Sequence, residues 1–529
     1  MVGMQLLHLN QKSLFSADRI MDDFLKSDDI CFTIQKEISP LIDITDFEGM
    51  YQEGGRPPVS PRLLILVLIM QYIERLSDRA AAANLRYRID WKIAFGLELE
   101  FAGIHATTLV YFRERLLAND RASYAFDKVL EHLSRVGLVK KNAKQRIDST
   151  HVIGLVRELS RIELLHETLR VFCNDIESYK SHLTGSVLLD HFDYYTDKIS
   201  IRGISDAQKD RFVKDAGQAM QGFIAWGESV KELPIKDLES FKTLAIVFKQ
   251  NFVSEDGEPP EPTKPIKLKK VATGKDHVSS PHEPDARYGN KGKKEWIGYK
   301  AQVAETTSDE PDDVNFITFI DVSDATDYDG AVVNDFISDQ TNRDILPSVV
   351  YGDTHYNSSD NITAAACKGV ELKGPVSPVP GDRPDSKNTG FTANLKQNAI
   401  TCPGGNEAPI TSQWKDGRVR ATFAKETCKS CSQINPCDPA PQGKHIVLRP
   451  ESELLNQRRA LMETLEFEIE MHRRNGIEGT LSGLVRGQGM RRSRHRGKNK
   501  LQLQLKFTGA AANILRLHRK RQTEVTVAA

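Results

Sequence analysis

The chain has 529 residues, and its 72 Lys and Arg balance 72 Asp and Glu, so net charge identifies no partner. Its longest apolar run, Leu63 to Met70, is eight residues. That is far short of the roughly 20 a membrane span requires, and Met1 to Asp29 hold no apolar leader segment, so a cytoplasmic protein of two to four domains with no membrane contact is expected.

Residues 1–135 read as helical. Ser60 is a candidate N-cap with Pro61 at the first helical position, before a helix apolar nearly all round. Ser77-Asp78-Arg79 opens a second helix, and Thr107 or Thr108 a third that presents Arg113 and Arg115. Short helices with basic faces fit a DNA-binding module, and also any helical bundle; DNA contact through Arg113 and Arg115 is expected. Near Gln145 the pattern changes, and Arg146-Ile147-Asp148-Ser149-Thr150-His151-Val152-Ile153 reads as a strand. Helical periodicity then runs from Leu155 to about Lys249, and the Pro-rich, charged residues 254–295 read as linker.

Trp296 to Glu305 and Asn315 to Val322 alternate as strands, with Trp296 and Tyr299 expected in the core. A helix over Gly330 to Gln340 precedes a strand, Ser348 to Asp353, that ends in an acid. A short helix, Ile362 to Gly369, and a last strand, Val370 to Pro375, follow. Residues 378–450 are turn-rich, and one long helix is expected from Ser452 to Gly487.

The cysteines number seven, too few for a disulfide scaffold of this size. Cys31, Cys173 and Cys367 stand alone and read as small hydrophobes. Cys402, Cys428, Cys431 and Cys437 cluster, with a C-x₂-C pair at 428 and 431. Four thiolates suit a structural Zn²⁺ that could hold a loop-rich segment without a core. Reduced thiols and redox chemistry are the alternatives.

From Met471 to Gln522 the chain has fourteen Lys and Arg and a single acid, Glu478. A lone carboxylate among arginines repels the polyanion they attract unless a cation lies between them. Asp148 on the first strand, Asp353 at the end of a later one and Glu478 on a late helix could converge on Mg²⁺ or Mn²⁺ for polynucleotidyl transfer. Six cations lie within Arg491 to Lys500: Arg491, Arg492, Arg494, Arg496, Lys498 and Lys500. With no acidic segment near in sequence, they are expected on DNA phosphates, as is Arg486.

The chain resembles the DDE transposases of bacterial insertion sequences. The resemblance rests on Arg56-Pro-Pro with its Leu-rich helix, Ile147-Asp148-Ser149-Thr150-His151, Asp285-Ala-Arg-Tyr-Gly, Trp296-Ile-Gly-Tyr-Lys, Tyr351-Gly352-Asp353, Gly374-Pro375, the cysteine cluster, Arg474-Asn-Gly-Ile-Glu478-Gly-Thr and Ala511-Ala-Asn-Ile-Leu-Arg. It implies an α/β fold: an RNase H-like mixed-sheet catalytic core at 140–157 and 296–377, a helical DNA-binding domain at 1–135, and a helical insertion and linker at 158–295. A Cys-rich insertion at 378–450 and a Glu helix with basic segment at 451–523 complete the expected layout. It also implies Asp148, Asp353 and Glu478 as metal-binding catalytic acids with Arg474 four residues before the Glu. Where the family signature has Tyr and Lys, this chain has Met471 and Val485, with Arg486 adjacent. The expected activity is Mg²⁺- or Mn²⁺-dependent cleavage and joining of double-stranded DNA at transposon ends and target, by a homodimer. The alternatives are a stand-alone metal nuclease and a DNA-binding regulator derived from a transposase.

Overall fold

A computed structural model describes residues 24–528 apart from 52–57, 158, 197–204, 262–263, 271–275, 293, 309–312, 378–389, 396, 415–417, 433–436, 438–441 and 449–451. Arg56 and most of the leader region therefore lie outside the described residues.

The centre is a mixed sheet in the order β6-β5-β1-β7-β8. It comprises β1 (Lys144–Ile153), β5 (Lys294–Thr306), β6 (Ile317–Asp324), β7 (Val349–Tyr351) and β8 (Glu371–Lys373). Strand β1 runs antiparallel to β5 and parallel to β7, and β4 (Arg287–Lys291) extends β5. Side chains alternate across the sheet. Tyr299, Ala301 and Val303 join the core shared with the N-terminal helices. Ile147, Ala304 and Phe319 face a second layer with Phe336 and Ile362. The architecture is α/β with both sheet faces covered.

The helix Pro61–Ile73 is buried from Leu63 to Tyr72 without a break. An element apolar all round needs partners on every side. One partner is the C-terminal helix Lys498–Ala528, which also lies against Tyr124–Arg135 and β6. Phe507 stacks on Tyr72 with ring centroids 5.6 Å apart. Asn513 accepts from the Ile317 amide and donates to its carbonyl, both at 2.8 Å. The N-terminal helices and the last helix thus build one core, where separate segments were expected. Ser60 sits at the N-cap but its hydroxyl makes no capping bond, whereas Ser77 accepts from the Ala80 amide. The third helix opens at Ala106, capped by His105, instead of at a threonine.

Between β1 and β4 lies a helical body with its own core, including Phe172, Tyr195, Phe223 and Phe248. The segment expected as linker contributes a two-stranded ribbon, β2 (Phe252–Ser254) with β3 (Ile266–Leu268).

Two expectations for the C-terminal third are corrected. Residues 378–450 are not merely turn-rich: β9 (Thr392–Asn394) to β13 (Gly443–Leu448) form a five-stranded antiparallel sheet. Its buried Phe391, Ile400, Val419, Phe423 and Ile446 give it a core. The single helix from Ser452 to Gly487 is two helices, Ser452–Met462 and Leu465–Gly487. Thr464, in extended backbone, breaks it and caps the second through the Phe467 amide.

Candidate active site

Pairing of Arg146 with Tyr351 across parallel β1 and β7 sets the site. Asp148, within β1, and Asp353, just past the end of β7, each lie two residues beyond that pair, close enough for their charges to interact. Asp148 is buried, and its Oδ1 accepts from the Ser149 amide at 2.7 Å. Burial raises its pKa above the ordinary carboxylate range, and the negative charge of Asp353 adds to the rise. The Ser149 bond and the charges of Arg474 and Lys291 oppose it.

Asp353 accepts from the His355 amide at 2.8 Å. Asn357 donates to the carbonyls of Gly352 and Asp353, clamping the turn. A Cβ at Gly374 would lie 2.1 Å from Asn357 Nδ2 and 2.2 Å from the Gly352 carbonyl, so this closure requires glycine.

The helix Leu465–Gly487 crosses above. Arg474 Nη2 donates to Asp148 Oδ2 at 3.0 Å, and Arg474 Nε is buried with no hydrogen-bond partner. Glu478 is one turn further on and exposed. Among the described residues, no three His, Cys, Asp or Glu side chains form a group set to hold a metal ion. The structure therefore brings Asp148, Asp353 and Arg474 together and leaves Glu478 beside them, unpaired. Val485, at the signature's Lys position, packs against the core, and Arg486 is exposed.

Sequence reading missed Tyr356. Its phenol is fully buried and donates to Gln302 Oε1 at 2.6 Å. Burial raises its pKa, as do the charges of Asp329, Asp148 and Asp353. No local pattern marks it, because Gln302 lies on a strand distant in sequence. His151 packs on Trp296 at 5.0 Å, and burial plus the charges of Arg491, Lys294 and Lys291 lower its pKa to about 4, which leaves it neutral.

The basic residues divide. Arg491 donates to Thr150 Oγ1 and to the His151 carbonyl, while Arg492 bridges to Ile153 in main chain. Arg494 donates to the Leu76 carbonyl and lies 4.7 Å from the Tyr72 ring centroid. Lys498 pairs with Asp324 at 2.7 Å, and Lys500 lies 3.7 Å from Glu114. Arg491, Arg494, Lys498 and Lys500 thus meet groups from distant parts of the sequence. Arg113, read as outside the core, is buried in a bidentate pair with Asp78, and Arg115 covers the Tyr51 ring at 4.4 Å. The side chains of Arg486, Arg492 and Arg496 are exposed.

Cys402, Cys428, Cys431 and Cys437 line one small cavity with Phe391 and Phe423. They share it without closing on a common centre.

A mixed sheet with one carboxylate within a strand and another just past the end of its parallel neighbour, beside an arginine-bearing helix, is an arrangement suited to enzymes that act on phosphodiesters. Two family models match the chain: "Transposase domain (DUF772)" over residues 20–115 and "Transposase DDE domain" over residues 401–518. Both matches are to transposase domains and support an insertion-sequence DDE transposase. The second match takes in the cysteines, Arg474 and Glu478, while Asp148 and Asp353 fall between the two. No curated protein and no solved structure matches the chain. No described helix is long and apolar enough to cross a membrane.

Proposed function

We propose that this transposase binds the terminal inverted repeats of its element, cleaves DNA to free 3′-hydroxyls and joins them to target DNA, acting in the cytoplasm as a homodimer. The observation that carries this reading is the meeting of Asp148, Asp353 and Arg474 where β1 and β7 run side by side. Asp148, Asp353 and Glu478 would hold the divalent cation, Mg²⁺ or Mn²⁺; hard oxygen donors whose charges oppose one another fit such an ion. When bound, it supplies charge that stabilises the attacking and leaving oxygens of an in-line displacement. Arg474 holds Asp148 in place with one nitrogen. The exposed Arg486, Arg492 and Arg496 would carry the adjoining backbone.

We also read the four clustered thiols as ligands of a structural Zn²⁺, supported by their shared cavity alone. Since the surrounding sheet has its own core, the ion would order the cavity's edge and would not substitute for a core.

The test is a strand-joining assay with labelled element ends in Mg²⁺. Wild type should cleave and join. Asp148→Asn, Asp353→Asn and Glu478→Gln should each abolish both steps and keep end binding. Cleavage without joining would favour a stand-alone nuclease, and end binding with neither step a regulator.

A further inference from the structure

Beside the aspartates, the two central strands β1 and β5 hold a cluster of buried charge. Glu305, 0% exposed, lies on β5 directly across from Arg146 on β1. A buried carboxylate needs paired charge and hydrogen bonds to offset its desolvation. Arg146 Nε donates to Glu305 Oε1 at 2.8 Å, and Arg516 Nη1, from the C-terminal helix, to Oε2 at 2.8 Å. The Thr480 hydroxyl donates to Oε2 at 2.6 Å and accepts from Arg516 Nη2 at 2.7 Å. Arg146 also reaches the Arg473 carbonyl through Nη1 at 2.7 Å.

The two tie points on the helix, Arg473 and Thr480, bracket Arg474 and Glu478. Between them the helix comes so close that a Cβ at Gly476 would lie 2.0 Å from Arg146 Nη1. Arg146 is two residues from Asp148 on the same face of β1. A helix held at two points about two turns apart can neither rotate nor slide against the strand.

We propose that Glu305, with Arg146, Thr480 and Arg516, is a positioning device that fixes the rotation and register of the Arg474–Glu478 helix over Asp148, and so sets metal affinity at the three acids. This rests on the reading of those acids as the metal site. Outer contacts of this kind typically change metal affinity about 10- to 100-fold.

The test measures Mn²⁺ binding to the full chain by isothermal titration, alongside thermal melting and Mg²⁺-dependent end cleavage. Thr480→Val removes the hydroxyl and keeps the shape. It should raise the Mn²⁺ dissociation constant about 10-fold or more, with end binding kept. Thr480→Ser, which restores the hydroxyl, should titrate like wild type. Should Thr480→Val not fold, Thr480→Ala carries the same expectation without added bulk. A wild-type titration in a folded Thr480→Val or Thr480→Ala chain overturns the positioning device alone. Absence of Mn²⁺ binding to wild type overturns both the device and the metal reading beneath it.

Discussion

Arg474 and Asp148 lie 326 residues apart in sequence and are joined by a 3.0 Å hydrogen bond from Nη2 to Oδ2. The guanidinium does not outweigh burial, and the Asp148 pKa stays raised. A buried carboxyl held in this way makes the protein's stability depend on pH and on bound cations.

The sign follows from linkage. A group whose pKa is raised on folding gives its full stabilising share below the unfolded value and loses it as pH rises through the folded value. Asp148→Asn should therefore melt higher than wild type at neutral pH without divalent cations, by roughly 1–3 °C. The gap should close below about pH 4, where the aspartate is protonated in both states. Mg²⁺ should raise the melting temperature of wild type and not of the variant. Differential scanning calorimetry across pH, with and without Mg²⁺, checks all three outcomes.

The helical segment 1–135 should not fold as an isolated fragment, because its core is completed by the C-terminal helix. Circular dichroism should find no cooperative melt for 1–135, and a mixture with a peptide spanning 490–528 should recover one. In the full chain, Phe507→Ala removes a buried ring stacked on Tyr72 and should cost about 3–5 kcal/mol in denaturant unfolding. A fragment that melts cooperatively alone would contradict the shared core.

The basic segment should separate by partner. Neutralising Arg492 and Arg496, both exposed, should lower the slope of log affinity against log salt for end DNA by about 1–2, with sequence preference kept. Arg494→Ala should instead lower the melting temperature, since that side chain ties Leu76 and covers Tyr72. Filter binding over a salt series and a thermal melt distinguish the two roles.

Protein purified without added zinc should hold about one zinc per chain by elemental analysis. Cys428→Ser/Cys431→Ser should lose it. Equal metal content in the double variant would leave the four thiols as reduced side chains around an apolar cavity.

Local pattern made much of this fold readable. The alternation in β1 and β5 gave those strands, and Tyr351-Gly352-Asp353 marked a strand end. What places Asp353 beside Asp148 is the parallel pairing of β7 with β1, a long-range choice that no local pattern carries. Thr464 went unread as a break because it interrupts continuous helical periodicity with one residue that could equally sit inside a helix. The sheet over 392–448 did leave a trace: Val419, Ala421 and Phe423 point in and Arg420 and Thr422 out. Its strands were too short and too interrupted by glycine and proline to stand out. Arg494 looked like a free cation because Tyr72 and Leu76 lie more than four hundred residues earlier. Glu305 and Arg146, a charge on each of two apolar strands, were an available signal of a buried pair.

The stacking of Phe507 on Tyr72 also bears on how the protein is made. A ribosome delivers the Pro61–Ile73 helix more than four hundred residues before the Lys498–Ala528 helix that covers it. At about 5–20 residues per second, that interval keeps the apolar surface waiting for roughly 20 to 90 s. Translation that stops short of the Lys498–Ala528 helix would release a chain with this surface unsealed, open to aggregation and to proteases.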